Sequence, residues 1–191
     1  IASCLVGSEM CIRDRATADP TLRVIVWDIR LPYALMAALV GMALGLAGAE
    51  MQTILNNPLA SPFTLGVSSA AAFGASLAIV LGLGIPGIPD GWLIAGNAFL
   101  FAMVAALLLD FVARRGGMNT SGVVLFGIAM VFTFNALVSL VQFTASAEAL
   151  QNLVFWTMGS LSRSSWTTVA ALGLAFALAL PLAMRQSWKL T

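Results

Sequence analysis

The chain has 191 residues, of which 60% are hydrophobic and 9% charged, with no histidine and a formal net charge of +1. With a mean hydropathy of +0.98, that composition argues against a soluble domain, in which about a quarter of residues are charged, and for a chain whose solvent is mostly lipid. The near-neutral balance gives no basic patch for nucleic acid. The two cysteines, Cys4 and Cys11, supply neither a disulfide framework nor a metal-ligand spacing in the apolar body.

Residues 1–15 read as foreign to the rest. Cys4 to Asp14, CLVGSEMCIRD, is a mixed-polarity string that resembles the translation of a sequencing-library adapter joined to a gene fragment; the alternative is a genuine extramembrane tail. Residues 16–191 read as a partial transmembrane domain. Its first apolar segment, Tyr33 to Thr53, runs for about 21 residues, roughly 31 Å of helix, which covers a hydrocarbon core of about 30 Å. Asn56, Asn57 and Pro58 end it, inside the uncharged hairpin NNPLASP.

The second segment, Thr64 to Leu83, leads into a Gly/Pro-rich turn from Gly84 to Gly91. Trp92 to Ala113 is the third, stopped by Arg114-Arg115-Gly116-Gly117. Ser121 to Thr144 is the fourth, with Asn135 and Gln142 as its strongly polar residues. Ala147 to Met158, about 12 residues, is amphipathic and too short to cross, so it is expected at the interface. Trp166 to Met184 is the fifth. The expectation is an all-α polytopic bundle with spans at about 33–53, 64–83, 92–113, 121–144 and 166–184, and an interfacial helix at 147–158.

Lysine and arginine placement orients these spans. Arg114 and Arg115 follow the third and Arg185 and Lys189 the fifth, so two crossings separate them and they share a face. The positive-inside rule makes that face cytoplasmic. Arg23, Arg30 and the loop from Trp156 to Arg163 then lie outside, and NNPLASP inside.

Small residues recur every four positions along two segments: Ala37, Gly41, Gly45 and Ala49 on the first, and Gly66, Ala70, Gly74, Ala78 and Gly82 on the second. Such stripes let helix backbones approach closely in lipid, and they read as helix contacts. No GxxxxGK[ST] sequence occurs, so ATP chemistry would belong to a partner. Charged groups within spans are costly and carry a functional hypothesis each. Glu50 lies about one turn from the end of the first span, within reach of headgroup water. Asp110 stands four residues before Arg114, a spacing that allows an ion pair on one helix face.

Four blocks in fixed order carry a resemblance: Trp27-x-Ile29-Arg30-Leu31-Pro32, Gly48-Ala49-x-Met51-Gln52, Asn57-Pro58-Leu59-Ala60-x-Pro62 and Leu65-Gly66-Val67-Ser68. To these are added Arg114-Arg115 with Asn119-Thr120-Ser121, and Phe155-Trp156-x-x-Gly159-Ser160-Leu161 with Trp166. The chain resembles FecCD-type permease subunits of importers for ferric siderophores, haem and cobalamin, across the second to sixth of the family's ten spans.

The resemblance implies a partial type II ABC importer permease in the cell's inner membrane, itself no enzyme and without a cofactor or metal of its own. Its partners would be a second permease subunit, cytoplasmic ATPase subunits, an extracytoplasmic binding protein and membrane lipid. It also implies a gate at Asn119, Thr120 and Ser121, and a translocation path lined by the fourth span. Met130, Asn135, Ser139, Gln142 and Thr144 would give that path weak polar or soft contacts, suited to releasing a chelate. Arg30 would receive an acidic group of the binding protein, or else anchor in headgroups; where the family has a second arginine, this chain has Tyr33. The alternatives are an ion- or proton-coupled secondary transporter using Glu50 and Asp110, whose mark of broken spans in two inverted halves is not seen, and a structural subunit without a transport cycle.

Overall fold

The computed structural model describes residues 23–82, 89–161 and 164–187. The adapter-like tail, Leu83, Arg163 and Lys189 lie outside the described residues. Among the described residues, six helices follow a wide turn at Ile25–Arg30: α1 Leu31–Leu55, α2 Val67–Val80, α3 Asp90–Arg115, α4 Thr120–Thr144, α5 Ala147–Met158 and α6 Trp166–Ser187. There is no strand among the described residues. The helices divide into two compact units, one joining α1 up to Gly45 with α6, the other running from Leu46 to Gly159.

Among the described residues, four helices are long and apolar enough to cross a membrane: the one running through Ile25–Leu55, α3, α4 and α6. The segment expected to span at 64–83 differs. It is helical over only 14 residues, Val67–Val80, about 21 Å at 1.5 Å per residue and short of a hydrocarbon core of about 30 Å. The cause is local. Gly66 sits at φ +80°, a left-handed conformation that breaks α2 from the preceding turn. The other helices start or end up to three residues beyond the expected bounds, with the end of α4 and the start of α6 where expected, and α5 keeps the same bounds.

The ends of these helices follow from their sequences. Asn56 takes φ 45° at the end of α1, its N–H donates to the Thr53 carbonyl at 3.3 Å, and that of Asn57 donates to the Gln52 carbonyl at 3.1 Å. This is the paired bonding of a left-handed helix cap, with asparagine in the place glycine usually holds. The Asn57 side chain then accepts from the Leu59 N–H at 3.0 Å. Ser61 and Thr64 bond each other reciprocally through N–H and hydroxyl groups at 2.9 and 3.2 Å, so NNPLASP is an ordered turn. Asn119 caps α4 by accepting from Gly122 at 2.9 Å, and Ser146 caps α5 by accepting from Ala149 at 3.2 Å.

In the unit from Leu46 to Gly159, α2 is the centre and packs on α3, α4 and α5. Its buried residues are Ala70, Gly74, Ala75, Ser76 and Ala78, all small, which is how one short helix touches three neighbours at close range. Phe73 meets Phe101 edge-on at 5.3 Å and lies 6.0 Å from Phe134, tying α2 to α3 and α4. Leu153, fully buried, anchors α5.

Glycine positions decide where backbones meet. A Cβ at Gly74 would lie 2.7 Å from the Asn97 carbonyl oxygen, one at Gly66 2.9 Å from Met130 Cβ, and one at Gly127 2.9 Å from Leu65 Cα. At Gly41, Gly45 and Gly82 a Cβ would meet no described atom within 4 Å. The stripe on α2 is therefore a packing face at Gly66 and Gly74, whereas Gly82 and the two glycines of the α1 stripe face open space among the described residues.

Candidate functional site

Helix α4 carries two different faces. Val123, Gly127 and Met130 are buried, and the set spaced by threes and fours from Ser121 through Leu125, Ile128, Phe132, Asn135 and Ser139 is exposed. Gly127 fixes this orientation, since its bare backbone rests on Thr64 and Leu65. The exposed strip is polar toward its two ends and apolar between, with Leu125 69% and Phe132 71% exposed. Partly buried Gln142 continues it.

At its first turn the strip enters a cleft of about 400 Å³, where Thr120, Ser121, Val124, Leu125 and Ile128 face Leu55, Asn56 and Asn57. An apolar groove of about 510 Å³ adjoins it, between Leu59, Ala60 and Phe63 on one wall and Val131 and Phe132 on the other. Asn57, Val124 and Ile128 line both. The Schellman-type end of α1 and the capped start of α4 thus bring two pairs of uncharged polar residues together at the ends of two helices.

Three hydroxyls of α4 bond back to their own helix. The Ser139 hydroxyl donates to the Asn135 carbonyl at 3.0 Å, Thr133 donates to Ala129 at 2.8 Å, and Thr144 donates to Val141 at 2.9 Å. With their protons engaged along the helix, these hydroxyls offer a passing molecule only acceptor lone pairs.

Most of the residues read from sequence fall on this surface. Thr120 and Ser121 line the cleft, Asn119 caps the helix behind them, and Asn135, Ser139 and Gln142 share the strip. Met130 requires correction. It is 5% exposed and packed with Ala70 and Ala105, because its position falls on the face spaced with Val123 and Gly127. It fills the core between helices and is not part of the exposed strip.

Among the acidic residues, Asp110 accepts from Arg114 Nε at 2.8 Å on an open helix face. Arg115 lies over the Phe111 ring at 4.6 Å. Arg30 is exposed on the wide turn before α1. Three features escaped the sequence reading. Asn97 donates from Nδ2 to the Gly74 carbonyl at 2.6 Å; its signal was an amide in the apolar run of α3. Gly127 seats α4, and its signal was a lone glycine at mid-span. The third is a bond between Trp166 and Trp27 across 139 positions, with no local signal beyond the tryptophans themselves.

A multi-pass helical bundle with a partly polar strip along one helix and a cleft at that helix's end has the build of a membrane permease. The chain belongs to the FecCD transport family, whose sequence profile matches residues 2–191. It is similar to an ABC transporter permease protein of Methanocaldococcus jannaschii, 38% identical over 78% of this chain and 44% of that protein. It is also similar to the molybdate import system permease protein MolB of Haemophilus influenzae, 34% identical over 92% and 52%. The vitamin B12 import system permease protein BtuC of Escherichia coli is 35% identical over 87% and 51%. A solved metal-chelate type ABC transporter in an inward-facing conformation matches with a TM-score of 0.80 and 32% identity, over 90% of this chain and 53% of that one. The chain spans about half the length of the curated relatives it matches. It is a multi-pass protein of the inner membrane.

Proposed function

We propose that this chain is the pathway-bearing part of a permease subunit in an ATP-driven importer that moves a metal chelate, such as a ferric siderophore, haem or cobalamin, by alternating access. The observation that carries this reading is the exposed strip of α4 running into the cleft between Asn56–Asn57 and Thr120–Ser121. Weak, uncharged polar groups suit a conduit that must let cargo go. Thr120 and Ser121, behind the Asn119 cap, are the gate, facing the cytoplasm. The complete importer pairs two permease subunits with two ATPase subunits inside and a binding protein outside, which docks at Arg30. Asp110 is committed to Arg114, which counts against a coupling role in a secondary transporter.

Chain parity supports five crossings. The indole of Trp166 reaches the carbonyl of Trp27 at 3.2 Å, so α1 and α6 begin at one face. Crossings by α1, α3 and α4 alone would leave α6 starting at the opposite face. A fourth is needed before it, and α2 with the turn ahead of it supplies one, leaving the amphipathic α5 at the interface.

The test is reconstitution of the full-length permease with its ATPase and binding protein in proteoliposomes. ATP should drive accumulation of at least one labelled chelate among cobalamin, haem and ferric siderophore, and Ser121→Trp should block it with ATPase assembly intact. Accumulation that ignored ATP and followed an ion gradient would overturn the proposal.

A further inference from the structure

The wide turn at Ile25–Arg30 leaves one backbone group without a helical partner. Its bonds run from N–H to the carbonyl five residues back, as the Leu31 N–H does to Val26. For the Trp27 carbonyl the donor five residues on is Pro32, which has no N–H. The donor four residues on is Leu31, already used by Val26. The Trp166 Nε1–H fills the gap from α6 at 3.2 Å. Pro32 is fully buried, so the proline that creates the gap is held in place.

Trp166 is itself fixed. In the first turn of α6 the Ser165 N–H donates to the Thr168 hydroxyl at 2.9 Å, and the Thr168 hydroxyl donates to the Ser165 carbonyl at 2.8 Å. Val169 is buried below it, and Gly173 brings α6 close to Leu39 of α1. Three residues past Trp27, on the same turn, Arg30 is exposed and makes no ion pair among the described residues.

We propose that Trp166 is a positioning residue for docking: its indole N–H holds the Trp27 carbonyl that Pro32 leaves without a donor, and so fixes the wide turn that presents Arg30 to an acidic group of a delivery protein. The proposal rests on the docking role given to Arg30 above. Without the indole bond, the turn can relax toward ordinary helical spacing, which swings Arg30 around the α1 axis. Docking would then lose the aim of the charge while keeping the charge itself.

The experiment is a double-mutant cycle on the full-length permease in its importer, read as affinity for the purified binding protein of the same importer at low and high salt. Trp166→Phe keeps the ring and removes the N–H. It should weaken low-salt binding about threefold to tenfold, the worth of one net hydrogen bond, and the loss should shrink at high salt. In an Arg30→Ala background the same change should cost less than about twofold, because the two residues act as one unit. In a Pro32→Ala background, where residue 32 regains an N–H for Trp27, its effect should also fall. Equal, additive losses in all backgrounds, or no loss in Trp166→Phe while Arg30→Ala weakens binding, would overturn the positioning role alone. Unchanged binding in Arg30→Ala would overturn the docking role and this proposal together.

Discussion

Met130 and Phe132 stand two positions apart on α4 and belong to different worlds. Met130 is 5% exposed against the alanines of two other helices, and Phe132 is 71% exposed in the groove wall. Since Ala70 and Ala105 are too small to collapse into a void, Met130→Ala should destabilise the protein by about 2 to 4 kcal/mol. Phe132→Ala should cost less than about 1 kcal/mol. Thermal unfolding of the two full-length variants in one detergent checks this, and equal losses would place Met130 outside the core. The sequence shows both as large apolar residues in an apolar run. Separating them takes the face of α4, and that face is set by Gly127 meeting a turn some sixty residues earlier.

At the scale of elements, the helices were legible from hydropathy and their stops from asparagine, proline, glycine and paired arginines. Small-residue stripes were legible as a pattern and only half informative as packing. A period of four shows where a backbone can be approached; whether anything approaches is a property of another element. Gly74 and Gly41 separate the two cases. Gly74→Ala places a methyl 2.7 Å from the Asn97 carbonyl, where backbone must shift, and should cost about 1 to 3 kcal/mol. Gly41→Ala should stay within about 0.5 kcal/mol of wild type. The comparison is the difference in melting temperature between the two variants; a neutral Gly74→Ala would mean that α2 and α3 separate freely.

For the whole molecule, the candidate site was legible in its residue types and not in its geometry. Thr120, Ser121, Asn135, Ser139 and Gln142 stand out as polar groups in lipid-soluble sequence, but the cleft exists only because Asn56 turns the chain back toward the start of α4. The topology is the point where sequence and structure pull apart, since α2 is too short by itself for a bilayer core. Single-cysteine variants at Arg114 and Arg185 in the full-length permease should label from the same side of the membrane, the cytoplasmic one. Labelling from opposite sides would show that the chain does not cross twice, through α4 and α6, between those positions, and would overturn their shared face.

Apart from Phe73, the buried residues that α2 turns to its neighbours are glycine, alanine and serine, and α4 meets the turn before α2 through Gly127 and Gly66. Glycine and alanine have no rotamers to lose. Bringing these segments together therefore costs little ordering of side chains, whereas a core of leucine and methionine would surrender conformational freedom at every contact. In a bilayer, where burial of apolar groups against each other gains little over burial in lipid, that saving in entropy lets a 14-residue helix hold the centre of its unit through dispersion, the Phe73 ring contacts and the hydrogen bond from the Asn97 amide.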